Sequence, residues 1–212
     1  MSAAHQRLAS VAAHLGGAQV RSHAAAAGPA LAPTIKALVF DVFGTVVDWR
    51  GSVAREIAAV AARHGWGGTD ANAFAMRWRA LYGPSMQTHL ESGDFVKLDG
   101  LHRMSLDTVL AEHGWDLPEQ ARADLNLAWH RLDGWADTRE GLARLRKQRT
   151  VATLSNGNIS LMVDNARRGG WAWDAILGAE VARHYKPDPE VCLGLGRIVA
   201  LYSHPSTSYH IR

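Results

Sequence analysis

Apolar and polar positions along the chain fall into two rhythms. From 35 to 47, IKALVFDVFGTVV is a near-continuous apolar run, rich in β-branched residues and without helical period. Such a run predicts a buried strand covered on both sides. Residues 150–154 predict a second strand, ending at Ser155–Asn156–Gly157, and 175–178 a third. Elsewhere the period lengthens to that of helices. Asp48 or Ser52 is placed to cap a helix reaching about His64, with Val53, Ile57, Val60 and Ala61 on one face. Further helices are expected over 72–82, stopped by Gly83–Pro84, over about 101–113, and from Pro118 or Glu119 to Arg131. About 80 residues after the first strand thus lack a convincing buried strand and read as a helical insertion. The strand–helix alternation resumes at Trp135, with helices over 138–147 and 159–168, the latter stopped by Gly169–Gly170, and another opening at Pro189. This order predicts an α/β protein with a parallel sheet, whose functional loops leave the carboxyl ends of the strands.

Residues 1–34 precede this pattern. They are Ala-rich, hold no acid, and suggest a helix near 4–15 broken by Gly16–Gly17, followed by a linker. An organellar transit peptide has the same composition. The 212 residues are enough for one domain with an inserted subdomain. The formal charge of +3 is concentrated at the termini, with no acid before Asp41 and none after Glu190. No dense basic tract or zinc-finger spacing points to nucleic acid. No stretch is long and apolar enough for a membrane span. Cys192 is the only cysteine, which excludes an internal disulfide and a thiolate metal cluster and fits a reducing cytoplasm.

The chemistry concentrates at strand ends. Asp41 closes the first apolar run, where an ionised carboxylate needs hydrogen bonds or a cation. Gly44 and Thr45 follow at once and are expected to offer backbone N–H groups and a hydroxyl. An Asx turn or helix cap would use the same residue. Ser155 and Asn156 stand at the equivalent end of the second strand, so the two ends are expected to converge. Lys186 lies in HYKPDPE, stiffened by two prolines, and would neutralise a neighbouring carboxylate. Attack by a carboxylate on carbon requires such aimed donors and little bulk water, and Thr45, Ser155, Asn156 and Lys186 are suitable. Trp49 is close enough in sequence to Asp41 to line a pocket. His102 reads more readily as a helix-face or buried hydrogen-bonded residue than as a catalyst. Neither a nucleotide-binding P-loop nor a dinucleotide fingerprint is present, and no HExxH places a metal.

DVFGTVVDWR at 41–50, MRWRALYGPSM at 76–86, LSNGN at 154–158 and HYKPDPEV at 184–191 stand together in one order. In this the sequence closely resembles the haloacid dehalogenase superfamily, specifically its type II, L-2-haloacid dehalogenase-like branch. The resemblance covers roughly 35–192. It implies a Rossmann-like parallel core, 35–50 and 135–212, with a helical cap at 51–134. Asp41 then corresponds to the nucleophile, Thr45 to its hydroxyl partner, and Arg79 to the arginine holding substrate and departing halide. Ser155 corresponds to the residue binding the substrate carboxylate, Asn156 to the halide-facing side, and Lys186 to the core cation. Phe43 stands where phosphatases of the superfamily carry a second Asp. Halide leaves as a stable anion without a general acid, so Phe43 is expected in the substrate pocket, with neither cofactor nor metal. The implied partners are a small halogenated carboxylic acid and halide, with pairing into a homodimer.

One departure stands out. The family continues after the lysine motif to a strand and an Asp that activates water, whereas 191–212 contain no Asp or Glu. The expectation is a truncated or altered C-terminus, an incomplete sheet, and ester hydrolysis that stalls. The alternative function is then an inactive, dimeric ligand-binding or structural protein that keeps the fold.

Overall fold

The computed structural model describes residues 34–193; the expected N-terminal helix and linker, and any strand in 194–212, lie outside the described residues. The apolar run at 35–47 does not form one strand. β1 spans Ala37–Phe40, and the chain leaves the sheet at Asp41. It turns through Gly44, whose positive φ of 85° suits a residue without a side chain, and re-enters as β2, Val47–Asp48. Val46 and Val47 N–H close this turn on the Val42 carbonyl at 2.9 and 3.2 Å.

The helical insertion follows directly. It comprises α1 (Trp49–Arg63), α2 (Ala71–Ala80), α3 (Tyr82–Ser92), α4 (Leu98–Glu112) and α5 (Glu119–Asn126), then a 3-10 turn at Leu127–His130. Asp48 caps α1 by accepting from Gly51 N at 3.0 Å, and Asp70 caps α2 through Asn72 N and Ala73 N, both at 3.0 Å. Ser52 does not cap; buried inside α1, its hydroxyl accepts from Asp133 N at 2.9 Å. The expected break at Gly83–Pro84 is the first turn of α3. Proline is tolerated there because first-turn N–H groups have no helical acceptor. Trp78, Trp129, Phe74, Ile57 and Leu106 are fully buried among these helices.

β3, Asp133–Gly134, returns the chain and pairs antiparallel with β2. This two-residue ribbon forms a stem between the helical cap and the core. Arg55 of α1 and Arg168 both pair with Asp133, the latter at 3.0 Å. α6 (Thr138–Arg146), β4 (Thr150–Thr153), α7 (Ile159–Gly169) and the short α8 (Ala179–Ala182) complete the described elements, with one further helical turn at 189–193.

β1 and β4 pair in parallel, Ala37 beside Thr150 through Phe40 beside Thr153. The predicted third strand appears as single bridges, Ala152 to Ala175 and Ser155 to Gly178. A side chain at Gly178 would run into the Ser155 carbonyl, so glycine permits the close approach. β4 is the buried strand, with Val151, Ala152 and Thr153 fully inaccessible. β1, expected to be covered on both sides, leaves Val39 42% exposed. Among the described residues β4 is its only ladder neighbour, so one flank lacks cover. The architecture remains an α/β, Rossmann-like core carrying a helical cap. No helix among the described residues is long and apolar enough to cross a membrane.

Candidate active site

The parallel register brings the two expected strand ends together. Phe40 lies beside Thr153, and Leu154 N donates to the Phe40 carbonyl at 2.7 Å, so Asp41 and Ser155–Asn156 emerge side by side. Lys186 reaches in from the loop after α8, and its Nζ donates to Asp41 Oδ1 at 2.7 Å. Thr45 Oγ1 donates to the other oxygen, Oδ2, at a longer 3.3 Å. Gly44 N–H does not reach the carboxylate; it closes the turn on the Val47 carbonyl at 3.0 Å. Charge and a hydroxyl, rather than the expected backbone donors, thus surround Asp41.

Asn156 holds the lysine loop. Its Oδ1 accepts from Lys186 N at 2.7 Å, while Nδ2 donates to Lys186 O at 3.3 Å and to the Tyr82 hydroxyl at 2.6 Å. The Tyr82 bond ties a core loop to α3 of the cap. Burial pushes the Tyr82 phenol above its ordinary value, with the Asn156 bond and Arg79 opposing that rise.

A cavity of about 210 Å³ opens over Asp41. Asp41, Phe43, Asn156 and Lys186 line it from the core, and Arg79, Tyr82, Leu98, His102 and Trp129 from the cap. The Arg79 guanidinium stacks over Tyr82, with Cζ 4.2 Å from the ring centroid. Burial lowers its pKa from the ordinary arginine value, against the pull of Tyr82 and Asp41; a guanidinium nonetheless stays charged in proteins. Its charge therefore faces an apolar aromatic wall, where electrostatic attraction to an anion is little screened.

Of the residues singled out from sequence, Asp41, Phe43, Arg79, Asn156 and Lys186 share this cavity. Thr45 touches it through Asp41. Trp49 stands behind the wall, stacked on Trp129 with centroids 5.8 Å apart and 6.0 Å from Arg79 Cζ. Ser155 is fully buried below the mouth, and its Oγ accepts from Gly157 N at 3.1 Å, an ST-type turn that shapes the loop. Sequence reasoning set His102 aside and did not name Tyr82, Leu98 or Trp129 as pocket residues. The ALYGPSM stretch held the only local hint of Tyr82, one helical turn beyond Arg79.

This arrangement can be set beside known proteins. A family model for haloacid dehalogenase-like hydrolases matches residues 35–193, three quarters of the chain. The chain belongs to the haloacid dehalogenase-like hydrolases. Its relatives within that family include (S)-2-haloacid dehalogenase 4A of Burkholderia cepacia, 29% identical over 165 residues, covering 74% of this chain and 67% of the relative. The (S)-2-haloacid dehalogenase of Pseudomonas fluorescens is 27% identical over 161 residues with the same coverage. Among solved haloacid dehalogenase structures, a defluorinating L-2-haloacid dehalogenase is 45% identical with a TM-score of 0.74, covering 81% of this chain and 70% of its own. A second L-2-haloacid dehalogenase is 40% identical with a TM-score of 0.74, covering 78% and 71%.

Proposed function

We propose that this hydrolase removes halogen from short L-2-haloacids, yielding 2-hydroxyacids through an aspartyl ester. The observation that carries this reading is a carboxylate, Asp41, paired with Lys186 at 2.7 Å beneath a small aromatic cavity that also holds Arg79. Substrate chemistry follows from that pairing. Lys186 occupies Oδ1, and Thr45 holds Oδ2 only loosely at 3.3 Å, so Oδ2 is the oxygen that attacks. A C–O bond forms as the carbon–halogen bond breaks, and the bonding pair leaves with the halide. Arg79 stabilises that developing charge from the cap, where exclusion of water strengthens the interaction. Phe43 supplies no proton, and a halide needs none. Water then attacks the ester carbonyl, giving 2-hydroxyacid, one proton and regenerated Asp41.

The roles of the remaining residues belong to the same proposal. Asn156 fixes the lysine loop and couples it to Tyr82. Ser155 shapes the loop facing the substrate carboxylate, and Trp49 backs the aromatic wall. Residues 51–134 act as a cap whose closure over the core completes the cavity. Pairing of two copies follows from family resemblance, and light scattering after size-exclusion chromatography reads it directly.

Incubation with L-2-chloropropionate tests the reading, following chloride release and intact protein mass together. Chloride accumulating over many turnovers bears out the full cycle, and Asp41→Ala should release none. One retained acyl-sized adduct per chain would mean that ester formation occurs without hydrolysis. Chloride release that survives Asp41→Ala, or wild-type protein giving neither chloride nor adduct, would overturn the assignment.

A further inference from the structure

The cap wall contains a polar ring that the reaction above leaves without a task. His102 of α4 lines the cavity, is only 2% exposed, and its Nδ1 is sealed from solvent with no hydrogen-bond partner. The imidazole lies flat against Trp129, with centroids 4.0 Å apart and planes 17° from parallel. It sits 6.4 Å from the Tyr82 ring, over which Arg79 is stacked. Buried polar side-chain atoms are almost always hydrogen-bonded, and an exception in a native fold calls for an explanation. Nδ1 is closed to the cavity as well as to solvent, so the N–H that a ligand can reach is that of Nε2, the ring nitrogen that keeps accessible surface, beside the Arg79 guanidinium.

The surroundings also define what kind of partner fits. Burial, then repulsion from Arg79 and His130, pushes the His102 pKa well below 6.5. The ring is therefore neutral at ordinary pH and carries a single N–H. Arg79 contributes full charge to the same wall, and a neutral donor beside it adds directional bonding without adding charge. Leu98 and Trp129, whose own buried Nε1–H has no partner either, line the cavity with His102.

We propose that His102 sets halide preference in this dehalogenase, its N–H donating a hydrogen bond to the halide that departs beside Arg79. The inference rests on the dehalogenase reading and adds a selectivity to it. Fluoride, the smallest and most charge-dense halide, accepts hydrogen bonds most strongly, whereas chloride gains mainly from the charge of Arg79. As the carbon–halogen bond breaks, its electron pair leaves on the halide and the new bond forms to Asp41. His102 keeps its proton throughout. Removing the donor should therefore penalise fluoride departure more than chloride departure.

The test compares kcat/KM for L-2-fluoropropionate and L-2-chloropropionate in one preparation, because their ratio does not depend on the fraction of active protein. His102→Phe keeps a flat ring against Trp129 and removes the N–H. It should lower the fluoro-to-chloro ratio by about tenfold, the size expected for one hydrogen bond to a developing anion, and act on kcat more than on KM. His102→Gln, which restores a donor without the ring, should recover part of the ratio. A residue that merely packs would slow both substrates equally; an unchanged ratio in His102→Phe overturns the inference. So does wild-type protein that releases chloride but no measurable fluoride. If the variants do not fold, wild-type protein labelled with 15N-histidine is titrated with sodium fluoride and sodium chloride. The His102 resonance should respond at lower fluoride than chloride, and a silent resonance overturns the inference. Failure of the parent reading looks different, since wild-type protein would then release neither halide.

Discussion

The two walls of the cavity are built in opposite ways. On the core side, loops leaving strand ends carry polar groups that stay partly in water; the Asp41 side chain is 47% exposed and Lys186 25%. On the cap side, helices and the 3-10 turn carry His102, Trp129 and Tyr82, all nearly or fully buried, with the His102 ring in contact with both of the others. A reacting carboxylate has to be reachable and aimed, which short turns and point contacts accomplish. Shape and low polarity have to be held by packing. The contrast teaches that reactivity and stability should separate: damage to the core wall stops the chemistry in a folded protein, while damage to the cap wall unfolds it.

The strongest test of that separation is Asp41→Ala. Halide release should fall on the order of 10⁴-fold or more, as for other nucleophile deletions, while the urea midpoint stays near wild type. A large loss of stability would show that the core wall also holds the fold together. Trp129→Ala is the converse case. Trp129 is fully buried and contacts Phe43, Trp49, Trp78 and His102, so the cavity left behind should cost about 3–5 kcal/mol in denaturant unfolding. Lys186→Ala should again separate the two properties, lowering kcat/KM about 10²-fold, roughly 2.7 kcal/mol of barrier, with a much smaller change in midpoint.

Smaller effects sharpen the picture at the seam between cap and core. His130 of the 3-10 turn bonds Asp164 of α7 at 2.8 Å and Asp99 of α4 at 3.1 Å, so one imidazole links both layers. Burial lowers its pKa, but the bonds and charges of Asp99 and Asp164 outweigh that, and the net shift is upward. Between the ordinary value near 6.5 and the raised folded value, the native state holds more protons than the unfolded chain. The His130 contribution is complete below about pH 6.5 and is lost as pH rises through the folded value. His102 works with the opposite sign. Its depressed pKa means the unfolded chain takes up a proton first, so stability falls as pH drops below about 6.5. Each limb is limited to about 1.4 kcal/mol per pH unit per proton. Chemical denaturation across pH 5–9 should show a maximum near the ordinary histidine value. His130→Gln should flatten the alkaline limb and His102→Phe the acid limb above the carboxylate range; an unchanged profile in either variant would refute the assignment. At the small end, Asp48→Ala removes the α1 cap at the stem and should cost about 1 kcal/mol, read as a modest drop in urea midpoint with little change in halide release.

What could be read from the chain varied with the range of the interaction responsible. α1, α4, α6 and α7 follow from apolar residues at helical spacing, because one face of each is buried. α3 escaped notice because Gly83–Pro84 looks like a terminator, although the same pair is harmless in a first turn. The β2–β3 stem is two residues long on each side and carries no periodic signal. Within the site, Asp41 and Asn156 announced themselves through their place after strand-like runs, and Lys186 through its proline-stiffened motif. Ser155 was placed in the right loop, but its hydroxyl turned to the backbone of Gly157. His102 showed only that it was a histidine on a helix, and its meaning depends on Trp129, Tyr82 and Arg79 arriving from three other segments.

The linear order of apolar runs, turns and motifs sufficed for the α/β class, the inserted helices and the meeting of Asp41 with Ser155–Asn156, since strand ends in a parallel sheet necessarily gather on one edge. Only the folded chain decided which aromatic rings close the cavity, which oxygen of Asp41 is left loosely held, and which histidine stays dry and neutral. Those outcomes arise from contacts between side chains far apart in sequence, and no local pattern encodes where a helix face will meet its neighbour.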